Sequence, residues 1–148
     1  MAAARYDVAV IGAGVFGAWI AWHLARSGQR VLLADQYGPA HTRGSSGGET
    51  RVIRMAYGSD AIYTRMAQSS LRQWQALFAS VGRPELFQRT GVLWMARRGN
   101  TAAEQSLAVL SDNAVEHQVL DAAELRHRHA QIAVPEDGWA IFEPQSGG

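Results

Sequence analysis

The sequence predicts an α/β fold, with a parallel βαβ unit at the N-terminus followed by the start of a mixed-sheet (α+β) segment. Three observations carry that expectation. Two short aliphatic runs, Tyr6 to Ile11 and Arg30 to Asp35, flank a helical stretch from Val15 to Ser27. A glycine turn, Gly12-Ala13-Gly14-Val15-Phe16-Gly17, joins the first run to that stretch. Beyond residue 85 the pattern becomes strand, helix, strand, short helix, strand, which does not continue a doubly wound parallel sheet.

Each element has its own local reason. Tyr-Asp-Val-Ala-Val-Ile at 6–11 suits a strand buried on both faces. In the helix, Phe16, Ile20 and Leu24 share one helical spacing and Ala18, Ala21 and Ala25 another, and Gly28 stands where a left-handed C-terminal cap is wanted. With the strand Arg30 to Asp35 this makes a unit of about 30 residues, the length of a parallel crossover. Gln36 to Gly48 holds Gly38, Pro39, Gly44, Ser45, Ser46, Gly47 and Gly48, so it cannot be a regular helix. Connections of that length in compact domains are usually functional or disordered. Order resumes over Thr50 to Tyr57, and from Asp60 to Phe78 the apolar positions Tyr63, Met66, Leu71, Trp74, Leu77 and Phe78 recur with a helical period.

The second half yields to the same patterns. Leu86 to Ala96 contains a strand, Thr101 and Glu104 form a capping box opening a helix through Ser111, and Val115 to Leu120 is a short strand. Asp121 and Glu124 repeat the capping pattern for a brief helix through His127, and Trp139 to Phe142 is a last strand before the turn Glu-Pro-Gln-Ser-Gly-Gly. The expected division is 1–85, the N-terminal part of a nucleotide-binding domain, and 86–148, the beginning of a second domain. A dinucleotide fold needs more parallel strands than the two found before the loop, so the chain is expected to be truncated.

Composition bounds the chemistry. Of 148 residues 47% are hydrophobic and 18% charged, with a formal charge of +1. That suits a globular protein and gives no footprint for nucleic acid or an anionic membrane. All fourteen basic residues are Arg and there is no Cys, which excludes lysine nucleophiles, disulfides and thiolate metal sites within the chain. Val8 to Leu24 is apolar, but Asp7 precedes it, glycines break it, and His23 arrives before the roughly 20 residues of a membrane span accumulate. No membrane partner is expected and the location is taken as cytoplasmic. Arg126-His127-Arg128-His129 reads as a solvated face, because histidines two apart on a helix point in different directions. No metal site is expected.

The glycine turn carries the sharpest chemistry. Its first glycine permits the tight strand-to-helix turn, its second lets a pyrophosphate approach the backbone, and its third lets helix and strand pack closely. Asp35, 23 positions after Gly12 and at the end of the second strand, suits a carboxylate accepting from ribose hydroxyls. That acidic residue disfavours a 2′-phosphate, hence NADP. The turn alone leaves NAD and FAD open. The segment after Asp35 departs from a dehydrogenase pattern: a long Gly/Ser loop, then Arg51 and Arg54 three apart. Taken without further context, those arginines read best as a solvated or salt-bridged face with Glu49 as partner.

The block His-Thr-Arg-Gly-Ser-Ser-Gly-Gly-Glu-Thr-Arg-Val-Ile-Arg-Met-Ala-Tyr-Gly, 41–58, resembles a signature of the monomeric sarcosine oxidase and N-methyltryptophan oxidase family, in the D-amino-acid-oxidase-like group of flavoenzymes. The resemblance continues through Arg-Thr-Gly-Val-Leu-Trp at 89–94 and Ala-Ile-Phe-Glu-Pro-Gln-Ser-Gly at 140–147. It implies the N-terminal portion of an oxidase of secondary, N-methyl amino acids that passes electrons from FAD to oxygen. By the resemblance Gly12, Gly14 and Gly17 would face the pyrophosphate, Asp35 the adenosine ribose, and Gly44, Ser45 and Ser46 would line the cofactor. Arg51 would lie against the flavin as a catalytic cation, Arg54 would bind the substrate carboxylate, and Tyr57 would border that pocket. One departure stands out: relatives often carry His where this chain has Ser46 or Gly47. Two alternatives stay open, a flavin dehydrogenase of the same group using another acceptor, and an inactive truncated dinucleotide-binding fragment.

Overall fold

A computed structural model of the chain describes residues 4–148. Packing divides it into two compact units, Met1–Arg51 and Val52–Gly148. The first holds strand β1 (Val8–Ile11), helix α1 (Val15–Arg26) and strand β2 (Val31–Ala34). β1 and β2 pair in parallel, with Val8 opposite Val31 and Ile11 opposite Ala34. Parallel pairing requires a crossover, and α1 supplies it. Gly28, at φ +86, ends that helix in the conformation its residue type permits.

The expectation of strands buried on both faces is not met. Val10 is buried, yet Ile11 is 80% exposed and Leu32 and Leu33 are about 40% exposed. Parallel strands become apolar on both faces because helices cover both; among the described residues this unit has a single helix, which leaves Ile11 and Leu32 on the uncovered face and covers Leu33, on the opposite face beside Val10, only in part.

The second unit holds α2 (Ala61–Ser80), a single 3₁₀ turn at Pro84–Leu86, β3 (Val92–Arg97), α3 (Thr101–Asp112), β4 (Gln118–Asp121), α4 (Ala122–Arg128) and β5 (Gly138–Glu143). Its strands form an antiparallel sheet in the order β3-β5-β4. In that register Trp94 faces Ile141, and both Met95 and Leu120 face Ala140. The chain thus combines a parallel pair with an antiparallel sheet, the mixed α/β architecture expected.

Central β5 carries the core. Met55, Ala56, Ala67, Leu71, Leu110 and Ile141 form one buried cluster, and Leu120, Leu125 and Ala140 a second. Leu110 and Ile141 are fully buried, each contributing about 1.5–3 kcal/mol by removal from water. Compactness divides the chain after Arg51, earlier than the 85/86 division suggested by the element pattern. The reason is that Ala67 and Leu71 of α2 share a core with α3 and β5.

One cap differs from its expectation. Asn100, and not Thr101, caps α3, its side chain accepting from the Ala103 N–H at 3.0 Å. Asn offers a carbonyl of suitable reach one residue earlier, which makes Thr101 the first helical residue. The second capping box forms as expected: Asp121 accepts from the Glu124 N–H, and the Glu124 carboxylate accepts from the Asp121 N–H.

Candidate functional site

The three glycines of the turn have separable reasons. Gly12 has φ +100, a left-handed conformation that penalises any side chain. A methyl group on Gly17 would lie 1.8 Å from the Gly12 carbonyl oxygen, so helix and turn could not approach as they do. Gly14 is different: its φ is −68, and a methyl group there would meet nothing within 4 Å. Neither conformation nor packing among the described residues demands glycine at 14, which leaves the close approach of something else. Gly14 also caps α1 without a side-chain hydrogen bond, so the helix presents uncapped N–H groups and its positive dipole end there. The turn and Gly44, Ser45 and Ser46 line one open cleft of about 550 Å³.

Asp35 lies at the rim, lining a second hollow with Gly12, Tyr37 and His41. Its Oδ2 accepts from the Ala13 N–H at 2.7 Å and its Oδ1 from the Tyr37 N–H at 2.8 Å. The Ala13 N–H first, then the Tyr37 N–H, hold this carboxyl below its ordinary 3.8, with His41 3.5 Å away adding to the effect. Asp35 thus ties the end of β2 to the glycine turn. Each carboxylate oxygen keeps a lone pair for a further donor such as a ribose hydroxyl.

Arg51 turns back on the loop before it, donating to the carbonyls of Gly47, Ser45 and Thr50. Arg54 and Tyr57 meet in the second unit. The Arg54 guanidinium carbon lies 4.2 Å from the centre of the Trp94 ring and 4.9 Å from that of Tyr57. Two aromatic faces hold a cation by attraction to their π-systems. One terminal nitrogen, Arg54 Nη1, is buried with no hydrogen-bond partner among the described residues. The salt-bridged reading of these arginines does not hold, because among the described residues neither arginine nor Glu49 forms an ion pair.

The backbone that carries Arg54 is pinned by a residue that sequence reasoning passed over. Glu143 is 1% exposed. Its Oε2 accepts from the Met55 N–H at 2.6 Å and the Ser146 hydroxyl at 2.6 Å, and its Oε1 from the Ala56 N–H at 3.0 Å. Ile53 exchanges backbone hydrogen bonds with Gly147, and the Thr64 hydroxyl donates to the Met55 carbonyl. Trp94 reads from the sequence only as a core-packing residue; it does pack against the core, and its ring also carries the Arg54 guanidinium. Glu143 and Trp94 both lie inside blocks that carried the family resemblance, and an acidic residue closing the apolar run Trp-Ala-Ile-Phe was the available signal for Glu143. His127 and His129 lie in or beside α4 with no metal grouping; among the described residues no cluster of His, Cys, Asp or Glu could hold an ion. No described helix is long and apolar enough to cross a membrane.

Comparison with known proteins places these features in a family. The FAD dependent oxidoreductase family, DAO, matches residues 7–148. The chain is 35% identical over 144 residues, 97% of its length, to monomeric sarcosine oxidase of Bacillus sp. (strain NS-129) and covers 37% of that protein. It is 39% identical over 143 residues, again 97% of its length, to peroxisomal sarcosine oxidase of Homo sapiens and covers 36% of it. Among solved structures it resembles NikD, described as an unusual amino acid oxidase essential for nikkomycin biosynthesis, at a TM-score of 0.74 and 26% identity over 96% of this chain and 37% of that one. The chain therefore spans little more than a third of the length of these relatives. With the family matched from the first strand to the last residue, the chain belongs to the FAD-dependent oxidoreductases.

Proposed function

We propose that the chain contributes the ADP-binding half of an FAD site, and the arginine that receives the substrate carboxylate, to an oxidase of secondary, N-methyl amino acids such as sarcosine. The observation that supports this most is Arg54: a guanidinium between two rings, with a buried Nη1 that no group among the described residues satisfies. A buried donor without a partner costs about 1–3 kcal/mol, more when charged. A substrate carboxylate would remove that cost and pair the charge.

The residues present fit FAD. Gly14, glycine for no reason internal to the chain, and the uncapped start of α1 suit a pyrophosphate. Gly12 and Gly17 shape the turn around it, Asp35 is placed for ribose hydroxyls, and Gly44, Ser45 and Ser46 wall the same cleft. FAD, when bound, supplies the hydride-accepting chemistry at the carbon beside the substrate nitrogen, with reoxidation by oxygen and release of peroxide. Arg51 would set a fixed cation against the flavin ring, and Tyr57, 40% exposed beside Arg54, would border the substrate. In domain terms, residues 1–85 would serve the cofactor and 86–148 would begin the substrate domain.

Replacing Arg54 by Ala in the full-length protein tests the reading. The Michaelis constant for sarcosine should rise at least about 30-fold, the equivalent of about 2 kcal/mol, while flavin stays bound. Peroxide should be released in step with substrate consumption by the unmodified enzyme. An unchanged Michaelis constant removes Arg54 from the substrate site, and oxidation without peroxide makes the protein a dehydrogenase.

A further inference from the structure

We infer that Glu143 is a positioning residue for Arg54, holding the guanidinium where an anionic substrate group must meet it; this rests on the carboxylate-binding reading of Arg54.

The segment 53–58 contains no helix or strand, yet Met55 and Ala56 are buried. Buried N–H groups outside regular structure need partners from elsewhere. Glu143 provides them from 87 and 88 residues away. Arg54 is thereby bracketed. Before it, Ile53 is fixed to Gly147 through both its N–H and its C=O. After it, the Met55 and Ala56 N–H groups are fixed to the two oxygens of one carboxylate, and the Met55 carbonyl is fixed to the Thr64 hydroxyl. With its peptide held on both sides and its head held by Trp94 and Tyr57, Arg54 has little freedom to swing its unpartnered Nη1 toward another acceptor.

The chemistry of the acceptor matters. The two N–H groups go to different oxygens, and the Ser146 hydroxyl adds a third donor. A carboxylate accepts on both oxygens, whereas an amide of the same shape accepts on one and would turn its NH₂ toward a donor. No cation neutralises Glu143 among the described residues, although it is 1% exposed. Burying a carboxyl group with no cation beside it is costly unless its oxygens find donors, so its presence calls for a task that an apolar side chain could not perform. Anchoring two successive N–H groups next to Arg54 is such a task.

The test uses the full-length, flavin-loaded protein with acetate as a bare carboxylate probe, its dissociation constant read from the change in flavin absorbance. Glu143→Gln should raise that constant, and the Michaelis constant for sarcosine, by about tenfold, as expected when an otherwise intact group is displaced by a fraction of an ångström. Flavin content and kcat at saturating sarcosine should stay near the unmodified values. In an Arg54→Ala background, Glu143→Gln should produce no further rise. If Glu143→Gln fails to fold, Ser146→Ala, which removes one donor from the carboxylate, should shift acetate binding in the same direction by a smaller factor. Acetate binding unchanged in whichever of these variants folds, or weakened equally with and without Arg54, would overturn the inference. If Arg54→Ala itself leaves acetate binding unchanged, the carboxylate reading of Arg54 fails, and the assignment of Glu143 falls with it.

Discussion

A methyl group at Gly17 would stand 1.8 Å from the Gly12 carbonyl oxygen, whereas one at Gly14 would touch nothing in the chain. The two substitutions should therefore separate folding from ligand binding. Gly17→Ala is expected to destabilise the protein by about 1–3 kcal/mol or more, as overpacking against backbone does. Gly14→Ala should leave the stability of the flavin-free protein within about 0.5 kcal/mol of its parent but lower the flavin bound per chain. Calorimetry and flavin absorbance on the same samples distinguish them. Equal loss of stability in both would mean that Gly14 serves packing after all.

Asp35 gives a pH dependence with a definite sign. Its carboxyl lies below 3.8 in the folded chain, chiefly because the Ala13 N–H binds the ionised form. A group depressed in this way stabilises the fold above its unfolded value, and that stability is lost as pH falls through the folded value. The thermal midpoint should therefore drop on the acid side of about pH 4, and Asp35→Asn should show a shallower drop over the same range. Midpoint curves that run parallel in the two proteins would detach Asp35 from the glycine turn.

At the level of elements, the helix caps show how far residue order alone reaches. Asp121-Ala-Ala-Glu124 was legible as a capping box and forms one. Thr101-Ala-Ala-Glu104 has the same spacing but is shifted by one, because Asn100 competes for the cap and wins. Asn100→Ala should cost about 1 kcal/mol in denaturant unfolding and Thr101→Ala only a few tenths. The reverse order would restore the box at Thr101. Strand patterns located β1, β2, β3, β4 and β5 to within a few residues, because each is a short apolar run bounded by turn residues. Those runs could not reveal that Leu32 and Leu33 would stay partly exposed, since burial depends on what covers a strand and not on its own composition.

For the whole molecule, local spacing and long-range contact contributed unequally to the site. The turn Gly12 to Gly17 and its acidic partner Asp35 were legible because every requirement is encoded within one βαβ unit. Arg54 was legible only through family resemblance, since nothing near it in sequence says that it is unpaired. Its rings come from Tyr57 and from Trp94 on β3, and its backbone anchor from Glu143 at the end of β5. Contacts across 40 to 90 residues leave no periodic trace. The family match shows an FAD-dependent oxidoreductase; the carboxylate-binding role of Arg54 is the part of the proposal that rests on its unpaired guanidinium. The direct measurement is anaerobic mixing of the full-length, flavin-loaded protein with sarcosine while flavin absorbance is followed. Bleaching of the oxidised flavin band, recovered on admitting oxygen and strongly slowed at low sarcosine by Arg54→Ala, is the predicted result. A flavin band that sarcosine and other N-methyl amino acids leave unaltered would contradict the account.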